Sequence, residues 1–166
     1  MLTFARRYGE VRFDDLMEVY SQSNQEAAAR MCNIPPAFAL EMAEQDFCQY
    51  LREVFFQTPG AIYIILEDDD RYVSAARLEP YRDGLLLAGL ETRPSARKRG
   101  YATQLLQGIQ KYLTKLGGKR LYSHVHKKNI PSLRLHEKLG FREISDMAVY
   151  LDGSVDNHSV TLCYDE

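Results

Sequence analysis

The chain has 166 residues, of which 45% are hydrophobic and 27% charged, with a formal net charge of -2. That is about one domain with room for a buried core, and the even spread of both charges argues against a general polyanion binder, which carries a basic excess. Cys32, Cys48 and Cys163 are far apart and lack metal-ligand spacing, so they read as free thiols of a reducing cytoplasm.

The N-terminal "MLTFARRYG" holds no long apolar run and reads as an edge strand, neither a signal peptide nor a membrane span. Asp14 or Asp15 is expected to cap a helix through Leu16, Met17, Val19 and Tyr20, which "IPP" breaks. Pro36 suits the first turn of the next helix, where Phe38, Met42, Phe47, Tyr50, Leu51, Val54 and Phe55 form one apolar face. "AIYIILEDD" and "RYVSAARLEP" predict a hairpin through an acidic turn, and "GLLLAGLET" a buried strand. Gly100 to Leu116 repeats apolar residues at helical period and stops at Gly117-Gly118. "KRLYSHVH" is a strand, Asn129 to Leu139 a short helix, and "FREISDMAVYL" and "SVTLCYDE" two closing strands. With no linker or repeat, residues 1–166 read as a single domain: an α/β (α+β) fold with a mixed central sheet flanked by helices.

Arg97, Lys98 and Arg99 fall between a buried strand and an amphipathic helix. A helix N-terminus leaves backbone N–H groups without partners and adds partial positive charge, and Gly100 and the small Ala102 let an anion approach closely. The stretch is neither a Walker loop nor a G-x-G-x-x-G dinucleotide fingerprint.

Arg97-Lys98-Arg99-Gly100-Tyr101-Ala102 resembles the acyl-CoA-binding motif of the GNAT superfamily of N-acetyltransferases, R/Q-x-x-G-x-G/A. Further on, "NIPSLRLHEKLGF" is similar to that family's second motif at Asn129, Ser132, Leu135, Lys138, Gly140 and Phe141, with a local likeness to the phosphinothricin-type amino-acid acetyltransferases. The resemblance covers essentially the whole chain. It implies a GNAT-like fold, mostly antiparallel, with a splay between the fourth and fifth strands. It implies acetyl-CoA as co-substrate, with its pyrophosphate on the N–H groups of Arg97, Lys98, Arg99, Gly100, Tyr101, Ala102 and Thr103. The pantetheine arm would pair with the backbone near Leu90 and Thr92, and Asn129 and Ser132 would complete the site. The polar stretch Ser21 to Pro36 would form one wall of the acceptor site. Lys98 stands where many members have glycine, and Ala102 replaces the commoner second glycine.

Attack by an amine requires a base, because a lysine-like amine has a pKa of about 10.4. Glu91, at the end of the strand lining the acyl group, is the first candidate; its bland alternative is a surface carboxylate paired with Arg93. His124 is the second. The "HVH" of His124 and His126 lacks a third ligand, so no metal is expected. The tyrosine that usually serves the family as leaving-group acid is replaced by His136, which can protonate a thiolate at an ordinary pKa near 6.5; Tyr122 and Tyr150 are spare candidates. The expected function is acetyl transfer from acetyl-CoA to a small-molecule primary amine, with no nucleic-acid or membrane partner, in the cytoplasm. The alternatives are acetylation of a protein or peptide N-terminus, or a catalytically idle acyl-CoA sensor. The closing strands could pair with a second copy, so a homodimer is a further expectation.

Overall fold

The computed structural model describes residues 1–165. Strand β1 (Leu2–Ala5) leads into helices α1 (Phe13–Val19), α2 (Ser21–Ala29) and α3 (Pro36–Glu53). Strands β2 (Ile62–Asp68), β3 (Arg71–Tyr81) and β4 (Gly84–Thr92) follow as a meander, then α4 (Tyr101–Lys115), β5 (Arg120–His126) and α5 (Ile130–Lys138). The chain closes with β6 (Arg142–Ser145), β7 (Ala148–Val149), β8 (Val155–Asp156) and β9 (Ser159–Tyr164). Among the described residues seven strands form one sheet in the order β1-β2-β3-β4-β5-β9-β6, in which only β4 and β5 run parallel.

Each face of the sheet is covered by the periodic helices. On one face Leu105, Leu106, Ile109 and Leu113 of α4 pack on Ile62, Ile64, Leu78, Leu87 and Leu121. On the other, Leu16, Val19 and Tyr20 join Leu51, Phe55, Tyr63 and Ile65. Each such side chain contributes roughly 1.5–3 kcal/mol on burial. The acidic hairpin turn forms where Asp69 and Asp70 adopt positive φ of 48° and 57°, a conformation that suits a two-residue hairpin loop.

Three expectations differ from what forms. The first helix is two, divided at Tyr20, and neither Asp14 nor Asp15 caps it; the cap position is Arg12, with no side-chain bond. The Asp15 carboxylate is drawn into the core instead. It accepts from the Tyr72 N–H at 2.8 Å and from Arg12 at 3.0 Å, and pairs with Arg93. Arg93 is 7% exposed and also donates to the Tyr72 carbonyl at 2.8 Å, so its partner is Asp15 and not Glu91. The third difference is "FREISDMAVYL", which divides in two: β6 stays in the sheet, while β7 pairs with β8 as a separate hairpin. The Thr161 hydroxyl, donating to the Met147 carbonyl at 2.7 Å, holds the departing chain.

The splay follows from competing pairings. β5 pairs with β9 over six positions, Leu121 to His126, and β4 is held by β3 up to Thr92. Between β4 and β5 the ladder runs only from Gly84↔Arg120 to Leu87↔Ser123, and both strands continue beyond it. Gly84 permits that ladder to start, since a Cβ there would lie 2.2 Å from the Arg120 carbonyl oxygen. Gly84→Ala should therefore force the two strands apart and cost about 1–3 kcal/mol, read as a lower urea midpoint.

Candidate functional site

The stretch expected to hold an anion forms a loop at the N-terminus of α4. A short 3-10 turn (Pro94–Ala96) leads into it, Lys98 takes φ 62° and Gly100 φ 83°, and Gly100 is the helix cap with no side-chain bond. Lys98 thus adopts the left-handed backbone that glycine takes more easily, at the position where the resembled family often has one. The first N–H groups of α4, at Tyr101, Ala102 and Thr103, have no carbonyl within the helix to accept them. They face a groove of about 880 Å³ lined by Leu90, Glu91, Thr92, Arg97, Asn129 and Ser132, among others. α2 closes this groove with Gln22, Ser23 and Glu26. Gln22 accepts from Arg97, and Arg97 Nε donates to the Thr92 carbonyl at 3.2 Å. The polar helix expected to wall an acceptor site thus lines the groove at the head of α4.

On the β5 side, the backbone of β4 beyond Leu87 has no strand partner among the described residues, which leaves an edge for an extended molecule to add to. The pairs Arg77↔Ala88 and Ala75↔Glu91 put one extra residue into β4, a bulge at which Gly89 has φ 57°. The Tyr20 hydroxyl donates to the Gly89 carbonyl at 2.5 Å. Because a trans peptide directs its N–H opposite to its C=O, the Leu90 N–H points away from Tyr20.

A cavity of about 210 Å³ fills the splay, lined by Ala88, Gly89, Leu90, Glu91, His124, Asn129, Ser132 and His136 among others. It shares Leu90, Glu91, Asn129 and Ser132 with the groove at the head of α4. It shares Leu87, Ala88, Gly89 and His124 with a third cavity, of about 740 Å³. That cavity lies between α3 (Tyr50), β3 (Arg77, Glu79) and the β7–β8 hairpin (Tyr150, Asp152, Ser154). The three spaces thus adjoin one another along the splay.

Each candidate now has a place. The Glu91 carboxyl accepts from the Ser23 hydroxyl, and its pKa is raised by burial, against the lowering effects of Ser23 and Arg97. His124 meets the rings of Tyr81 and Tyr150 edge-on at 5.5 and 5.0 Å, and neither ring nitrogen has a hydrogen-bond partner among the described residues. Burial, helped by Arg82, holds its imidazole below the ordinary value, so at neutral pH it is a free base facing the third cavity.

His136 is 1% exposed, its Nδ1 lies 2.8 Å from the Ser132 carbonyl, and burial lowers its pKa. A carbonyl only accepts, so Nδ1 carries the proton and the unpartnered Nε2 the lone pair. Asn129 caps α5, its Oδ1 accepting from the Ser132 N–H at 3.3 Å, which frees its amide NH₂ toward the groove. Tyr122 is turned to Asp83 and takes no part, whereas Tyr150 stands over the third cavity. Among the described residues no group of three His, Cys, Asp or Glu side chains is placed to hold a metal ion, and no helix is long and apolar enough to cross a membrane.

Sequence reasoning missed Ser23, Tyr20, Arg77 and the β7–β8 hairpin. Arg77 gave one signal, a lone cation within the apolar strand "YVSAARL".

The described geometry has close counterparts. The family model for the acetyltransferase (GNAT) family matches residues 15–141. An aminoglycoside N(6')-acetyltransferase type 1 of Salmonella typhimurium is 33% identical over 66 residues, 40% of this chain and 46% of the relative. A protein of the same name from Serratia marcescens is 32% identical over 79 residues, 48% of this chain and 52% of the relative. The chain thus spans about half the length of the curated relatives it matches. Among solved structures, the PaiA N-acetyltransferase of Thermoplasma acidophilum in complex with coenzyme A superposes with a TM-score of 0.69 at 13% identity, covering 100% of this chain and 99% of that one. Aminoglycoside 6'-acetyltransferase type Ii gives 0.66 at 18% identity, covering 99% of this chain and 96% of that one. At such identities these two matches bear on the fold.

Proposed function

Since the chain belongs to the acetyltransferase (GNAT) family, we propose that it transfers an acetyl group from acetyl-CoA to a primary amine of a small molecule by direct attack within a ternary complex. The observation that carries this reading is an adjacency: the groove at the head of α4 and the third cavity flank the small cavity of the splay and share its lining residues, which suits two substrates meeting at one narrow centre. An arrangement of this form suits a long, phosphate-headed co-substrate on one side and a compact amine on the other.

The fit to acetyl-CoA rests on the donor set at the head of α4 and on the unpaired edge of β4. When bound, acetyl-CoA supplies an activated thioester carbonyl. The N–H groups of residues 98–103, with Arg97 and Arg99 nearby, hold the pyrophosphate. Leu90 and Thr92 pair with the pantetheine as a strand would, and the Asn129 amide steadies its thioester end. The Leu90 N–H, aimed away from Tyr20, donates to the carbonyl oxygen as negative charge develops there.

His124 receives the proton of the incoming amine once a small shift uncovers its ring nitrogen, because it is neutral, unpartnered and lines both the splay and the amine's cavity. Glu91 is the alternative acceptor, since it borders the splay from the cofactor side. The sulfur leaves as a thiolate and takes up the proton that His124 removed from the amine, or one from solvent; His136, neutral with its proton on Nδ1, has none to give, and its Nε2 accepts a hydrogen bond from the thiol so formed.

The partial matches to aminoglycoside acetyltransferases support a small amine as acceptor. Acetyl-CoA should raise Tm, as a ligand specific to the folded state must, and CoA thiol should appear when an amine is added. No stabilisation by acetyl-CoA or CoA would overturn the assignment of the cofactor. Stabilisation without thiol release from any small amine or N-terminal peptide would leave an acyl-CoA sensor.

A further inference from the structure

Arg77 is a half-buried guanidinium that makes no hydrogen bond or ion pair among the described residues, although Glu79, Glu91 and the hydroxyls of Tyr20, Tyr50 and Tyr63 lie within electrostatic reach. Its side chain enters the third cavity beside Gly89 and His124. Its Nε is sealed from solvent without a hydrogen-bond partner. The nearest structural support is aromatic, with Tyr50 and Phe47 ring centroids 5.2 and 5.8 Å from the guanidinium carbon. Glu79, two residues along β3, is within electrostatic reach but makes no ion pair with it, and one of its oxygens accepts from the Tyr50 hydroxyl at 3.1 Å. The bulge in β4 leaves room for this arrangement. A Cβ at Gly89 would lie 3.1 Å from Arg77 Nη2, so the backbone is stripped of its side chain where the guanidinium sits.

A buried cation without a partner opposes folding, and an isolated one is retained where something else supplies the counter-charge. A planar guanidinium with free donors matches a carboxylate in a bidentate way, and does so best where water is excluded. The geometry points to an acceptor that carries a carboxylate within a few bonds of its reactive amine, as an α-amino acid does. The carboxylate sits on Arg77, the amine faces His124 and the splay, and the rest of the molecule extends toward Glu79, Tyr50 and the β7–β8 hairpin. This inference rests on the proposed acetyl transfer and narrows its acceptor to a carboxylate-bearing amine, distinct from the polycationic aminoglycosides in the names of the partial matches.

The test is a thiol-release assay over matched pairs, each α-amino acid against the amine left when its carboxylate is removed (arginine and agmatine, tyrosine and tyramine, histidine and histamine). At least one acid should exceed its amine in kcat/KM by roughly 30-fold or more, the factor expected for a buried, hydrogen-bonded charge pair. In Arg77→Met the acid should lose its advantage and fall to the level of its amine, mainly through KM. Arg77→Lys should recover part of the preference. Two readouts guard against misfolding: acetyl-CoA should still raise the Tm of both variants, and without acceptor the Tm of Arg77→Met should equal or exceed that of the unsubstituted protein. Amines that match or beat their acids in every pair overturn the inference. So does a preference for acids that survives Arg77→Met, or an Arg77→Met protein that loses both its Tm and the acetyl-CoA shift. If acetyl-CoA stabilises the protein but no acid is acetylated, this inference falls while the cofactor assignment stands.

Discussion

His124→Gln is expected to lower kcat by about 10²–10⁴-fold at pH 7, the range associated with a positioned general base. Acetyl-CoA should stabilise the variant as before, since His124 lines the splay and the third cavity but not the groove at the head of α4. The pH dependence carries the sign. Burial and Arg82 hold the imidazole below 6.5, so the proton-accepting form is fully present at pH 7 and is lost as pH falls through that lowered value. The acidic limb of kcat/KM should therefore have its midpoint below 6.5, and His124→Gln should abolish it. Glu91→Gln should cost less, because its carboxyl already accepts from Ser23 and lines the groove at the head of α4, where acetyl-CoA is proposed to lie. The opposite order of losses would give the proton to Glu91.

The second large effect is on stability. Arg93→Met should cost about 3–5 kcal/mol, because it leaves the Asp15 carboxylate largely buried with part of its charge unanswered. For a chain of this size that is a fall in Tm of roughly 6–20 °C. The pair ties α1 to β3 and to the residue that precedes the loop at the head of α4, so the variant should also bind acetyl-CoA less tightly. Acid unfolding offers an independent check. Burial raises the Asp15 pKa, but the Tyr72 N–H, Arg12 and Arg93 outweigh it and the net value is lowered. Its contribution is then fully present above the ordinary carboxylate pKa and is lost as pH falls through the lowered one. Asp15→Asn should remove that part of the acid limb, and a scan of urea midpoints against pH would show an unchanged limb if the pair were only a surface contact.

The parts of the site that could be read from sequence are those that are contiguous in it. An anion cradle needs one loop, one helix start and one glycine, and Arg97 to Thr103 supplies all three within a single stretch. The order of elements likewise follows from local period, and with it the mixed sheet. What escaped reading depends on pairings distant in sequence. Arg77 matters because of Gly89 on the next strand and Tyr50 on α3, and its strand neighbours Ala76 and Leu78 conceal it as ordinary core. His124 was visible, but its neutral, unpartnered state depends on Tyr81, Tyr150 and burial. Asp15 had the residue type and place of a helix cap, and the choice between cap and core was made by Arg93, 78 positions away. The β7–β8 hairpin was concealed by continuous strand-like sequence, because the switch from sheet to hairpin occurs at Asp146 and Met147 without a proline or glycine to mark it.

Crystallography of the protein with coenzyme A tests the central claim most directly, because one map reports both sides of the splay. The account predicts pyrophosphate density on the N–H groups of residues 98–103, the pantetheine along Leu90 and Thr92, and the sulfur in the splay between Gly89 and Asn129, with His124 on the side of the third cavity. Coenzyme A bound elsewhere, or with its sulfur outside the splay, would contradict it.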